Sequence, residues 1–226
     1  MHKNVPKMKT GIVTGCSRGI GLATINLLTD NDNIKVIGTS TSGNSPISKS
    51  NFECYSLNLS ESKSIKNFIN IIGSNKIDFL INNAGILLEK WDESAINFEQ
   101  LKQTFNVNLF GTIELTEKLI SNFNKSGHII NVTSDWGSFS EKNFDEFQPH
   151  YKMSKSALNM YTKLLAKRLE KHNIIVSSID PGWTKTDMGG REASRKPSEV
   201  AHDIKNLLDK MPKSGNFWHQ GKIREW

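Results

Sequence analysis

Apolar positions along this chain follow two alternating rhythms. Short continuous apolar runs alternate with stretches repeating every three and four residues, which predicts strands followed by helices. Gly11 to Thr14 is a short apolar run broken at Gly15, and Ile20 to Leu28 then takes up helical spacing, giving strand, glycine turn and helix. Ile34 to Gly38 reads as a second strand, the segment around Tyr55 as a third, Ile65 to Ile72 as a helix and Asp78 to Ile81 as a fourth strand. Phe105, Leu109, Ile113, Thr116, Ile120 and Phe123 mark one face of a single long helix, followed by a strand from His128 to Val132. A helix over residues 151–171, a sixth strand from Ile174 to Ile179, a late helix from Ser198 to Leu208 and a closing strand beyond Gly215 complete the pattern. No linker interrupts it. The expectation is an N-terminal tail over 1–8 and one doubly wound α/β Rossmann domain over 9–226, a parallel sheet of about seven strands with helices on both faces. Ligands of such sheets bind at the carboxyl ends of the strands.

Composition narrows the classes. With 226 residues, 36% hydrophobic and 23% charged, the chain builds a core without staples and is not disordered. No apolar run of about 18 residues is present, and the first residues lack the apolar centre of a signal peptide, so a cytoplasmic setting without a membrane partner is expected. Twenty-nine basic against 23 acidic residues give a net charge of +6. The lysines are spread along the chain, and the densest group, Lys163, Lys167, Arg168 and Lys171, has the spacing of a solvated helix face; this favours a phosphorylated small ligand over nucleic acid. Cys16 and Cys54 form neither a Cys-x-x-Cys pair nor a zinc-ligand spacing, so free thiols and no metal are expected.

The chemistry-bearing residues fall at strand ends. Thr14-Gly15-Cys16-Ser17-Arg18-Gly19-Ile20-Gly21 follows the first strand and opens the first helix, where missing side chains admit a pyrophosphate to backbone N–H groups at the positive helix end. The spacing G-x-x-x-G-x-G differs from the generic dinucleotide fingerprint. Tyr151 and Lys155 stand four apart, stacked on one helix face, where a cation beside a phenol favours the phenolate and eases proton exchange. They follow a strand ending in Thr133-Ser134.

Together these motifs resemble the short-chain dehydrogenase/reductase family over nearly the whole chain, nearest to its C-factor-like and carbonyl reductase-like members. The glycine motif falls on Gly15, Gly19 and Gly21, Asn-Asn-Ala-Gly on Asn82 to Gly85, the active-site asparagine on Asn108, and the serine, tyrosine and lysine on Ser134, Tyr151 and Lys155. The Pro-Gly stretch falls on Pro181 and Gly182, with Thr184 and Thr186 after it. The resemblance implies hydride transfer between a nicotinamide and a carbonyl or alcohol, with Tyr151 as general acid/base. Lys155 would hold the ribose and lower the Tyr151 pKa, Ser134 would bond the substrate oxygen, and Asn108 would order a proton-relaying water. Cofactor contacts are expected from Gly15, Ser17, Arg18, Gly19, Ile20 and Gly21, from Ser40 and Thr41, from Asn58 and Leu59, and from Asn83, Ala84 and Gly85. Tyr151, Lys155, Pro181, Gly182, Thr184 and Thr186 complete that set. The end of the second strand, Gly38 to Thr41, carries no acid to bind a ribose hydroxyl, which favours NADP(H) over NAD(H), with Arg18, Ser40 and Thr41 offered to a phosphate. Asn58 replaces the family's usual aspartate at the adenine. Trp136, Phe139, Phe144 and Phe147, between Ser134 and Tyr151, either shape the substrate pocket or pack the loop, and His150 reads as the polar residue before a helix. Alternatives are a 3-oxoacyl-thioester reductase and a dinucleotide-binding regulator. The chain is expected to act as a homodimer, a homotetramer or a monomer.

Overall fold

The computed structural model describes residues 8–142 and 144–226, so the tail expected over 1–8 lies outside the described residues except for Met8. Eight strands form one sheet in the order β3-β2-β1-β4-β5-β6-β7-β8. The strands are β1 (Lys9–Thr14), β2 (Ile34–Ser40), β3 (Phe52–Ser56), β4 (Ile77–Asn82), β5 (Phe123–Val132), β6 (Ile175–Ile179), β7 (Asn216–His219) and β8 (Lys222–Arg224). Seven run parallel; β8 turns back antiparallel on β7, one strand more than the sequence predicts. The turn is Gln220-Gly221, both at positive φ, as the two-residue hairpin turns that match strand twist require.

Alternation along the strands sorts apolar side chains to two faces. Ile12, Leu80 and Ile129 point to one side, packed under α2 (Ser62–Ile72), α4 (Thr112–Leu119) and α5 (Pro149–Leu169). Val13, Ile81 and Ile130 point to the other, under α1 (Gly19–Leu28) and α6 (Pro197–Lys210).

The one long helix expected around residues 105–123 is instead α3 (Phe98–Phe105), a π-helical stretch Asn106–Gly111 and α4, and Phe123 opens β5. The backbone stays right-handed helical throughout, and at Gly111 a Cβ would fall on the carbonyl oxygen of Leu59. The widened turn holds Asn108, in keeping with the frequent placement of π-bulges at functional sites.

Chain order reverses between β1 and β4, so the loops after these two strands part and leave a crevice at their carboxyl ends. Asn83 bridges it, its Nδ2 donating to the carbonyl oxygens of Thr14 (2.8 Å) and Gly15 (3.2 Å).

Candidate active site

Two cavities open along this crevice and meet at Tyr151, which borders both. The first, about 370 Å³, is bordered by Gly15, Ser17, Arg18, Gly19 and Ile20 from the glycine turn, Ser40 and Thr41 from β2, and Asn58 and Leu59. Asn83, Ala84, Gly85, Lys155, Pro181 and Thr186 close it. Of the expected cofactor contacts, Gly21 lies inside α1 against Gly15, and Gly182 and Thr184 border the second cavity.

The first cavity fits a dinucleotide. Gly15 and Gly19 have φ of +74° and +58°, where only glycine sits without strain. A Cβ at Gly19 would also press to 3.1 Å from Thr186 Cγ2. The first turn of α1 carries no acid and its N-cap Arg18 makes no side-chain cap, leaving orphan N–H groups at the positive helix end for a pyrophosphate. Other residues are already engaged. Ser40 is buried and its hydroxyl donates to Asn44 O (2.8 Å), turning it into its own loop. Arg18 pairs with Asp187 (3.2 Å), both well exposed at the mouth. Asn58 Oδ1 accepts from Ser60, and its Nδ2 donates to Glu61 Oε1 (2.7 Å).

The reactive residues converge from three elements. Tyr151 and Lys155 lie on successive turns of α5, with Lys155 Nζ 5.4 Å from the Tyr151 ring centre. Lys155 is buried, donates to Val132 O (3.0 Å), and has no carboxylate partner among the described residues. Burial brings its pKa down to about 8. Burial raises the Tyr151 phenol well above the ordinary range, Asp180, Asp135 and Glu89 add to this, and the Ser134 hydroxyl opposes. Ser134 Oγ donates to Asp135 Oδ1 (3.0 Å). Asn108 Oδ1 accepts from Ile86 N–H (2.8 Å) and Nδ2 donates to Ile86 O (2.8 Å), so this side chain fixes the segment after Gly85.

Glu89 went unrecognised in the sequence. It is fully buried, and its Oε1 accepts the Tyr151 N–H (3.0 Å) in the first turn of α5, where an anion meets the positive helix end. His150, expected to be a plain helix-start residue, is instead buried; its Nε2 accepts from Asn97 N–H (3.0 Å), which leaves the proton on Nδ1, 3.1 Å from Glu89 Oε1.

The second cavity, about 440 Å³, is bordered by Ser134, Asp135, Trp136, Trp91, Leu87, Trp183 and Met188, among others. Of the aromatics between Ser134 and Tyr151 only Trp136 borders it; Phe139 and Phe144 face solvent. Trp91 is placed by Gln148, whose Nε2 donates to the carbonyls of Lys90 and Trp91. Trp183 Nε1 donates to Gly189 O (2.7 Å). Asp180 anchors the floor beneath, accepting from Gly182 N–H (2.8 Å) and pairing with Arg224 (2.5 Å) and His219 (2.9 Å).

Comparisons with known proteins agree with this fold. A family model described as short chain dehydrogenase matches residues 9–197. The C-signal of Myxococcus xanthus is 28% identical over 155 residues, 66% of this chain and 93% of that protein. A 3-oxoacyl-[acyl-carrier-protein] reductase of Buchnera aphidicola is 31% identical over 207 residues, 87% of this chain and 82% of that protein. The solved structure of a short chain dehydrogenase family protein from Francisella tularensis, 27% identical, superposes with a TM-score of 0.82 over 94% of this chain and 96% of that one. No helix among the described residues is long and apolar enough to cross a membrane.

Proposed function

This chain belongs to the short chain dehydrogenase family of oxidoreductases, which act on carbonyl and alcohol groups, and on that premise we propose that it is an NADP(H)-dependent carbonyl reductase. The observation that carries the reading is Tyr151, bordering both the cavity that fits a dinucleotide and the one open to a substrate. A bound nicotinamide dinucleotide supplies the hydride. Tyr151 donates the phenolic proton to the carbonyl oxygen as the carbon becomes an alcohol carbon. Its raised pKa keeps that proton in place at neutral pH. Ser134 turns its hydroxyl from Asp135 to the substrate oxygen. Lys155 would hold the ribose and steady the phenolate left behind, and Asn108 positions the Gly85–Ile86 backbone beside Lys155. The preference for NADP(H) is supported by the acid-free end of β2 and by Arg18 at the mouth, which exchanges Asp187 for a phosphate.

A second reading, reduction of a 3-oxoacyl thioester, is favoured by the similarity to the Buchnera reductase. The test is oxidation of NADPH and NADH by the purified protein with aldehydes, ketones and a 3-oxoacyl thioester. Turnover that prefers NADPH and falls by about 10² to 10⁴ in Tyr151→Phe is expected, the range for loss of a general acid. Tight dinucleotide binding with no turnover on any carbonyl would refute the reading and favour a regulator.

A further inference from the structure

The second cavity is walled by apolar side chains, yet one of its lining residues, Asp135, carries a formal charge. That carboxylate accepts the Ser134 hydroxyl (3.0 Å) and the Trp136 N–H (3.0 Å), and forms no ion pair among the described residues. The nearby cations are paired with other groups, Arg224 with Asp180 and Glu141, His219 with Asp180, and Lys152 with Asp145, and of these Arg224 offsets part of the Asp135 charge. Burial, and Asp180 behind it, push the Asp135 pKa up, the mark of a negative charge that its surroundings under-compensate. A neutral ligand filling the cavity would strip water from this carboxylate and return nothing, while a cation would relieve it.

Three indoles stand in the same wall. Trp91 meets Trp136 at 5.8 Å and 83°, and Trp183 at 6.4 Å and 66°; Trp136 in turn meets Tyr151 at 6.1 Å and 86°. Rings standing nearly perpendicular in sequence present faces as well as edges to whatever lies among them, and an indole face attracts cations more strongly than any other side-chain ring. The cluster already shows this affinity, since Lys152 Nζ sits 5.2 Å from the Trp136 ring centre. Trp91 and Trp183 are half exposed, with faces left for a ligand.

We propose that this end of the cleft selects carbonyl compounds that also carry an ammonium group, held by the Asp135 carboxylate and the rings of Trp91, Trp136 and Trp183 while the carbonyl lies at Tyr151. The proposal rests on the reductase reading for the carbonyl and on the cavity alone for the cation. Its test is a pair of ketones of one shape and different charge, 5-(trimethylammonio)pentan-2-one and 6,6-dimethylheptan-2-one, whose three methylenes insulate the carbonyl from the charge, reduced under identical conditions. The ammonium ketone is expected to have a kcat/KM at least fivefold higher. Asp135→Asn brings that ratio to within about twofold of unity, and Trp91→Leu, at a half-exposed position that tolerates change, reduces it. Because both ketones meet the same altered Ser134 environment in Asp135→Asn, the ratio isolates recognition of the charge from damage to turnover. A ratio at or below unity, or one untouched by both substitutions, overturns the proposal. Fluorescence titration of the cluster with phenyltrimethylammonium and tert-butylbenzene reads the same selectivity without turnover. If neither ketone is reduced, the wider carbonyl panel decides the reductase reading, while tighter binding of the ammonium probe supports the cation site and equal binding rejects it.

Discussion

Lys155 costs this protein stability, and replacing it by methionine measures how much. The side chain is buried, donates to Val132 O, and is brought by desolvation to a pKa of about 8 from 10.5. The folded chain therefore releases this proton more readily than the unfolded chain. The penalty is fully present below the folded pKa and fades as pH rises from about 8 towards 10.5, so stability from this group rises with pH across that window. At about 1.36 kcal/mol per pKa unit, the penalty is about 3 kcal/mol at pH 7 and about 1.4 kcal/mol at pH 9.5. Methionine has a similar reach and no charge, but it leaves the Val132 carbonyl without this donor, a loss of about 1 kcal/mol. Lys155→Met should therefore stabilise the dinucleotide-free protein by about 2 kcal/mol at pH 7 and by almost nothing at pH 9.5. Urea unfolding followed by tryptophan fluorescence at the two pH values measures this, and taking the difference between variant and wild type cancels the tyrosines that begin to ionise at the higher pH. A variant less stable than wild type at pH 7, or a gap unchanged between the two pH values, would refute the reasoning. The expected result identifies a residue kept for chemistry at the expense of the fold.

Three further outcomes follow from the packing and charge. Gly111→Ala drives a methyl onto the Leu59 carbonyl inside the π-helical stretch and should destabilise by at least about 3 kcal/mol, read as a fall in the urea midpoint, because neither backbone can yield without moving Asn108. His219 is held above its usual pKa by Asp180, so the pair stabilises below the unfolded histidine value and is lost as pH rises through the raised folded one; His219→Gln should cost stability at pH 6 and markedly less at pH 9, by below about 1 kcal/mol given its exposure. Cys16 lies 3.3 Å from Cys54, and burial and that neighbour push its thiol up to about 12. Iodoacetamide at pH 8 should thus label the half-buried Cys54 and spare Cys16 in the folded protein, and mass spectrometry showing equal labelling of both would contradict it.

Strands and crossover helices were legible because each is a local pattern: Ile12 and Val13 alternate to opposite faces, and the runs through β4, β5 and β6 are apolar on both sides, as a covered parallel sheet demands. The glycine turn, Tyr151 and Lys155 were legible for a similar reason, their working spacing being a spacing in sequence. What stayed hidden depends on contacts between distant segments. The helical period runs unbroken through residues 105–123 and carries no sign of the π-helical turn at Asn106–Gly111. Glu89 lies in a stretch with no periodicity and acts only because that stretch folds over the start of α5.

The Tyr151 phenol shows an influence that sequence spacing does not carry. Sequence spacing placed a cation beside the phenol and so argued for a lowered pKa, but burial acts on both groups at once, pushing the lysine down as it pushes the tyrosine up. Asp135, Asp180 and Glu89 then add negative charge around the phenol from three separate segments. The buried pair is thereby poised as an acid with its proton in place and a cation close to losing its own. The carboxylates that hold the phenol protonated come from segments around residues 89, 135 and 180, so the spacing of Tyr151 and Lys155 alone could not report their effect.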